Sequence, residues 1–483
     1  MWQRRMPSYC KELNHELSIM KRRRLLQGAA GLFAAQYLPI SGVVRSTRAA
    51  LPALRHPVLA NVMLVGGPDF RYLFPPAFTS DPNSYGFKFY EARAKALKIG
   101  STADAFANVW QTKYSHVAAG STQFGILSSC DWLTSMWNAG HVALVANVVG
   151  AESRDHAHAQ LVWESADRSL QQTDKPGTGW GGRLADVANS QVLSLSPAPR
   201  PFCFGADAAD ARTPSSDRVV TLASPDSVGL FQPAPTDDAT AIGISQALRQ
   251  YYAASRNDIA ALAPQRRFVN TQKTLSDLGE RLRTVFTALQ QPAEISGLLG
   301  GPNALVNKSL AVQMRNVFYA LAASGEVDFH TLSLVFGGFD THDMEQEEVE
   351  PKYRDMFRSG GAMDVLYRLL PDSITSRLVF MFSGEFGRQL RANGDTGTDH
   401  GRGNSVLLVG YPVRGGAYGE LFPLAELDRL NDPSPDIIGL THIDSVLAPL
   451  VEYLHPGSAR TVLHGLDTAQ TEAGVSLVDL FSA

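Results

Sequence analysis

The chain lacks the long apolar runs of a membrane protein. No segment approaches the roughly 18 consecutive apolar residues that a membrane-spanning helix requires, so the mature part is expected to be soluble, with no membrane span. Cysteine is scarce as well, with three in 483 residues, so disulfides cannot carry the fold. Cys10 lies ahead of an apparent leader, which leaves Cys130 and Cys203 as the one pair available to an oxidising compartment. A large excess of one sign of charge is missing too. A formal net charge of -4, without a clustered basic face, excludes nucleic acid as an expected partner. The glycine-rich segments have no Walker-type lysine, which argues against P-loop nucleotide hydrolysis. No internal repeat stands out.

The N-terminus has a recognisable address. Lys21 to Gln27 read KRRRLLQ, followed by the mild apolar stretch GAAGLFAAQYLPI from Gly28 to Ile40. A stretch of about a dozen residues is too short to cross a hydrocarbon core of about 30 Å, so a cleaved signal is expected rather than an anchor. Thr47, Ala49 and Ala50 supply small residues for cleavage. Consecutive arginines before a weak apolar core are the twin-arginine pattern, which predicts a periplasmic or secreted protein. Residues 1–50 are then the signal peptide and 51–483 the working domain.

Continuous apolar segments predict buried strands at Val58–Gly67, His141–Gly150, Thr331–His342, Arg377–Arg388 and Asn404–Gly410. Helical spacing occurs over Ala239–Leu289, Ser309–Ser324 and Thr441–Leu454, and the Asp-, Ala-, Pro- and Ser-rich stretch Ala206–Asp238 reads as loop. Strands separated by helices predict an α/β fold, a mostly parallel central sheet with helices on both faces, carrying a loop-rich and helical insertion near 206–325.

Chemistry gathers where those strands end. Asp69, Asp340 with His342, Glu385, and Asp399 with His400 bring oxygen and imidazole donors that suit one or two divalent ions, zinc or manganese above all. Asp340 and His342 are two apart, so an extended backbone directs both to one side. The alternative for each acid is a helix cap. The segment SRDHAHAQLVWES from Ser153 to Ser165 follows a strand, and ligands collect beyond strand ends in such sheets. Within it, Asp155 and His156 are the catalytic candidates, and Ser153 and Thr341 are nearby hydroxyls. His156 and His158 are candidates for ligands or anion contacts, or are plain surface histidines. Arg154 and Arg388 carry guanidinium forks that match an anionic substrate, unless they pair with Asp155 or Glu385. In GWGGRLAD, Trp180 is expected to pack, the glycines to turn the chain, and Arg183 to begin a helix.

The motifs GGPDF, RDHAHAQLVWE, GWGGRLAD, GGFDTH, GEFGR and GTDHGRG occur in that order from about Val58 to the C-terminus. In them the chain resembles a large bacterial family of twin-arginine-exported proteins of unknown function, sulfatase-like and placed beside the alkaline phosphatase superfamily. The resemblance implies an alkaline-phosphatase-like fold. It also implies a site in which Asp69 matches the superfamily's first-strand aspartate, and Asp340 and His342 its strand-borne pair. Glu385 and Phe386 then stand where the superfamily has Asp and His, and His400 resembles a third histidine of its mutase branch. One metal keeps Asp340, His342 and His400, while a second loses its imidazole. Asp155 stands where the family more often has serine, so alkoxide attack is lost and Asp155 is left to form an acyl-phosphate or bind metal. The expected activity is metal-dependent hydrolysis of phosphate or sulfate esters, on a small anionic substrate. The alternatives are a noncatalytic metal-stabilised binding protein and a partner of a co-expressed exported protein.

Overall fold

The computed structural model describes residues 51–207, 213–223, 277–464 and 480–481, with a few isolated positions between 243 and 254. The arginine block, the apolar stretch and the cleavage residues fall outside the described residues. So do most of the 206–238 loop and the larger part of the 239–289 helical stretch.

The apolar segments form the strands of one nine-stranded sheet. In chain order these are β1 (Val58–Leu64), β2 (Val142–Val149), β3 (Gln191–Ser194), β4 (Val219–Thr221), β5 (Phe329–Phe336) and β6 (Leu378–Ser383). A separate hairpin follows, β7 (Gly387–Ala392) with β8 (Thr398–Gly401), and then the sheet resumes with β9 (Asn404–Val409), β10 (Gly416–Tyr418) and β11 (Thr441–His442). The spatial order is β10-β2-β9-β6-β1-β5-β3-β4, with β11 also on β2. Pairing is parallel except that β9 runs antiparallel to both of its neighbours. The sheet is thus mostly parallel, as the strand and helix alternation predicts.

Successive side chains of a strand point to opposite faces, and β1 shows the consequence. Val58, Ala60, Val62 and Leu64 enter one core while Leu59 and Met63 enter another. On the first face lie α1 (Tyr85–Arg93), α4 (Lys308–Ala322), α5 (Glu345–Phe357) and α6 (Ala362–Leu369); on the second lie α2 (His156–Ser165), α3 (Trp180–Ala188) and α7 (Ile443–Leu454). Helices therefore cover both faces, and a sheet buried on both sides explains why its strands read as unbroken apolar runs. Within 206–325, β4 joins the edge of this same sheet and α4 places Leu310, Met314, Val317 and Leu321 in the first core. The two cysteines do not pair. Cys130 is buried in the first core and Cys203 in the second, so the sheet separates them and both are free thiols. Among the described residues, no helix is long and apolar enough to cross a membrane.

The GWGGRLAD segment forms α3. A Cβ on Gly182 would meet the backbone of Phe204 at 2.1 Å, so the glycine permits a close crossing rather than a turn. Arg183 lies inside the helix, where its guanidinium donates to the carbonyls of Ser165, Thr178 and Val462.

At the edge opposite the site, His330 is buried, stacked on His56 and near His455. Burial and the neighbouring imidazoles pull it down to about 4, against a minor upward pull from Asp328. The folded protein therefore resists protonation that the unfolded chain accepts. Stability from this group is complete above pH 6.5 and is lost as pH falls from there towards 4, by at most about 3 kcal/mol. His330→Phe is expected to lose about 2 to 3 kcal/mol less than wild type between pH 7 and pH 4.5 in urea unfolding. Equal losses would contradict this assignment.

Candidate metal centre

Three parallel strands, β5, β1 and β6, lie side by side, and all end at one edge of the sheet. The chain leaving β2 reaches the same edge, and antiparallel β9 begins there. Ligands collect beyond such carboxyl ends. Here the loops after β1, β2, β5 and β6 meet the β7–β8 hairpin.

The glycines after β1 set the loop geometry. Gly66 has φ +117, and a Cβ there would sit 2.2 Å from the Asp340 backbone nitrogen. The turn directs the N–H groups of Gly66 and Gly67 to the Glu385 carboxylate, at 2.9 and 3.4 Å. Their carbonyls face the other way and accept from Arg388. Gly66→Ala combines a strained φ with a backbone clash, so a loss of about 2 kcal/mol or more is expected in thermal or denaturant unfolding. Wild-type stability in that variant would contradict the geometry.

Around this turn three imidazoles converge. His156 opens α2, and its Nδ1 lies 2.8 Å from Glu385 Oε1. That oxygen also takes the Gly66 N–H and Gln160 Nε2, so it is an acceptor and the proton sits on Nδ1. His342 Nδ1 lies 3.0 Å from Asp399 Oδ1, which accepts from Asn393 as well. His400 Nδ1 lies 3.1 Å from the Arg154 carbonyl, which can only accept. Every Nδ1 is thus a donor, and in a neutral ring the lone pair is left on Nε2.

The Nε2 atoms gather at Asp340. Its Oδ1 is 2.8 Å from His400 Nε2 and 3.1 Å from His342 Nε2, and its Oδ2 is 3.5 Å from His156 Nε2. His342 and His400 bring their Nε2 atoms to 2.9 Å of each other. One ligand atom from each of His156, Asp340 and His400 fits within 4.8 Å, a possible metal-binding triad that His342 adjoins. Lone pairs and a carboxylate brought this close repel one another unless a cation lies among them. The donor set therefore fits a divalent ion, and carboxylate or carbonyl support behind each imidazole is the usual outer shell of such sites. Phe386 packs against the rings of His156 and His400 as an apolar floor. Burial alone would raise the Asp340 carboxyl, but the Arg388 guanidinium that donates to it pulls the other way, and the group sits below the usual carboxylate range. Burial lowers His400, with the Arg388 charge acting the same way against the pull of Asp340. Asp340 and His342 remain nearly half exposed, so the cluster faces solvent.

Other residues expected at the site stand apart from this convergence. Asp69 caps the short helix Phe70–Leu73 and ion-pairs with buried Arg93, so its carboxylate is already engaged. Burial raises it, but Arg93 and a hydrogen bond with Glu345 bring it below the usual range, while burial and Asp69 push Glu345 well up. Glu385 and Asp399 hold imidazoles from behind. Asp155 caps α2 by accepting from His158 N, and points away as an exposed residue. His158 turns to the Leu170 carbonyl, because residues two apart on a helix do not share a face. Ser153 accepts from the Asp155 N–H, and the buried Thr341 hydroxyl lies against the Phe339 carbonyl.

Arg388 is not a substrate contact. It is fully buried, donating to the carbonyls of Gly66, Gly67, Phe339 and Thr398 and to Asp340. Its fork ties the loop after β1 to the loop after β5, which carries Asp340 and His342, and to strand β8, which carries His400. The Arg154 side chain pairs with Asp436, a partner with no local sequence signal.

Residues 119–431, more than half of the chain, match a family profile described as "Protein of unknown function (DUF1501)". The chain belongs to this family. The DUF1501 match spans His156, Asp340, His342 and His400, together with Glu385 and Asp399 behind them, and leaves out β1 and Asp69. No curated protein matches the chain.

Proposed function

We propose that this DUF1501 protein is a metal-dependent hydrolase of phosphate or sulfate esters, exported by the twin-arginine route to the periplasm on an alkaline-phosphatase-like fold. The observation that carries this reading is the convergence of three imidazole Nε2 atoms on the solvent-facing Asp340 carboxylate. His156, His342, His400 and Asp340 would hold one ion. Three imidazoles with one carboxylate suit zinc or manganese. When bound, the ion supplies Lewis acidity to an ester oxygen and makes water a stronger nucleophile.

The protein's own groups then have defined tasks. Glu385, Asp399 and the Arg154 carbonyl keep a proton on each Nδ1, which leaves each Nε2 free to coordinate. Phe386 fixes two of the rings and excludes water from beneath them. Ser153 and Thr341 hydrogen-bond to their own backbone neighbourhood, and Asp155 caps a helix, so the attacking group is water rather than a side chain. That same feature supports a second reading, a noncatalytic metal-stabilised binding protein or a partner of a co-expressed exported protein. Mature protein loaded with zinc or manganese is expected to hydrolyse generic aryl phosphate or sulfate esters, with activity lost in His400→Ala. Metal binding without turnover of either ester class would sink the hydrolase reading and leave the binding one.

A further inference from the structure

Beside the convergence lies a second charged group that the metal reading does not use. Asp436 is buried, with about 1% of its surface exposed, and one of its oxygens, Oδ2, accepts from both Arg154 and Arg402. Its other oxygen, Oδ1, is buried with no partner among the described residues. Both arginines are tied to the centre through the chain. The Arg154 carbonyl holds His400 Nδ1, and Arg402 follows His400 by two residues. Each guanidinium is about one-third exposed. Among the described residues, Arg154 Nε and Nη1 and Arg402 Nη2 have no hydrogen-bond partner.

The charges do not cancel inside the protein. Asp436 neutralises one of two guanidiniums. The other is met only by Glu152, whose carboxylate lies 2.7 Å from Arg402 Nη1 but is 76% exposed. An exposed ion pair of this kind is worth at most about 1 kcal/mol, so an incoming anion can displace it.

We propose that Arg154 and Arg402, gathered on Asp436, form the oxyanion clamp of the site, with Glu152 as a competing carboxylate that a phosphate or sulfate group displaces. Planar forks bind such oxygens in bidentate fashion, which a lysine at either position would not reproduce. This rests on the hydrolase reading, because it names the residues that receive the anionic part of the substrate.

The test is calorimetric titration of inorganic phosphate and of sulfate into zinc- or manganese-loaded protein, with metal affinity measured separately for each variant. Arg402→Gln is expected to weaken the anion at least tenfold at unchanged metal affinity. Glu152→Gln is expected to strengthen it several-fold, a change of sign that damage to the fold would not produce. If wild type binds an anion and both variants match it, the clamp is overturned while the hydrolase reading stands. If loaded wild type binds neither anion, the hydrolase reading itself fails and the clamp with it.

Discussion

Asp340→Ala is expected to weaken divalent-metal binding at least about 100-fold, equivalent to about 2.8 kcal/mol. Asp340 is the group on which all three Nε2 atoms converge, at 2.8, 3.1 and 3.5 Å. Removing it takes away the only carboxylate in the triad and leaves the His156 and His400 rings with the adjoining His342, whose Nε2 lies 2.9 Å from that of His400. Even outer-shell changes behind metal ligands typically cost 10- to 100-fold, so loss of a ligand sets a higher floor. Arg388 loses one acceptor but keeps four carbonyls, so the fold should survive, and circular dichroism checks that. Competition with a chromophoric chelator measures the affinity. Asp395→Asn, an exposed carboxylate in the turn of the β7–β8 hairpin that carries His400, should leave it unchanged. Equal affinity in Asp340→Ala and wild type would contradict the assignment.

The largest stability effect is expected at Arg388. This side chain is fully buried, and its fork joins the loop after β1, the loop after β5 and strand β8. Arg388→Met would strip a donor from four buried carbonyls and leave Asp340 without its guanidinium. Asp340 is nearly half exposed and keeps water as a partner, so the loss comes from the carbonyls: each buried acceptor left unsatisfied costs about 1 to 3 kcal/mol. Denaturant unfolding should therefore show a loss of at least about 3 kcal/mol. Arg388→Lys should recover little, because one ammonium cannot reach acceptors spread around a planar fork. A near-neutral Arg388→Lys would mean the fork is not what binds the loops together.

The strands were legible because burial on both faces imposes unbroken apolar runs. Predicted Val58–Gly67 and His141–Gly150 appear as Val58–Leu64 and Val142–Val149, shorter only at their glycine or polar ends. Gln191–Ser194 and Val219–Thr221 escaped notice, since strands of four and three residues are too short for periodicity to register. The antiparallel course of β9 was hidden too, because pattern along a strand carries burial but not direction.

The site was legible by residue type and less so by role. Asp340, His342 and His400 stood out as oxygen and nitrogen donors at strand ends, and they do meet. His156, read from the sequence both as a catalytic candidate and as a candidate ligand, joins them as a fourth donor, placed by the Asp155 cap at the start of α2. Asp69 and Arg388 carry the right charges, but their partners lie far away in sequence. Arg93 claims the first and four loop carbonyls claim the second. Nothing local distinguishes an arginine that binds substrate from one that ties loops together. Only the folded chain supplies the carbonyls.

The most direct test of a single centre built from His156, Asp340, His342 and His400 is metal stoichiometry on the wild-type protein. Equilibrium dialysis against zinc or manganese, followed by elemental analysis, should give one tightly held ion per chain. No retained ion would contradict the centre altogether, and two equivalent ions would contradict the engagement of Asp69 by Arg93.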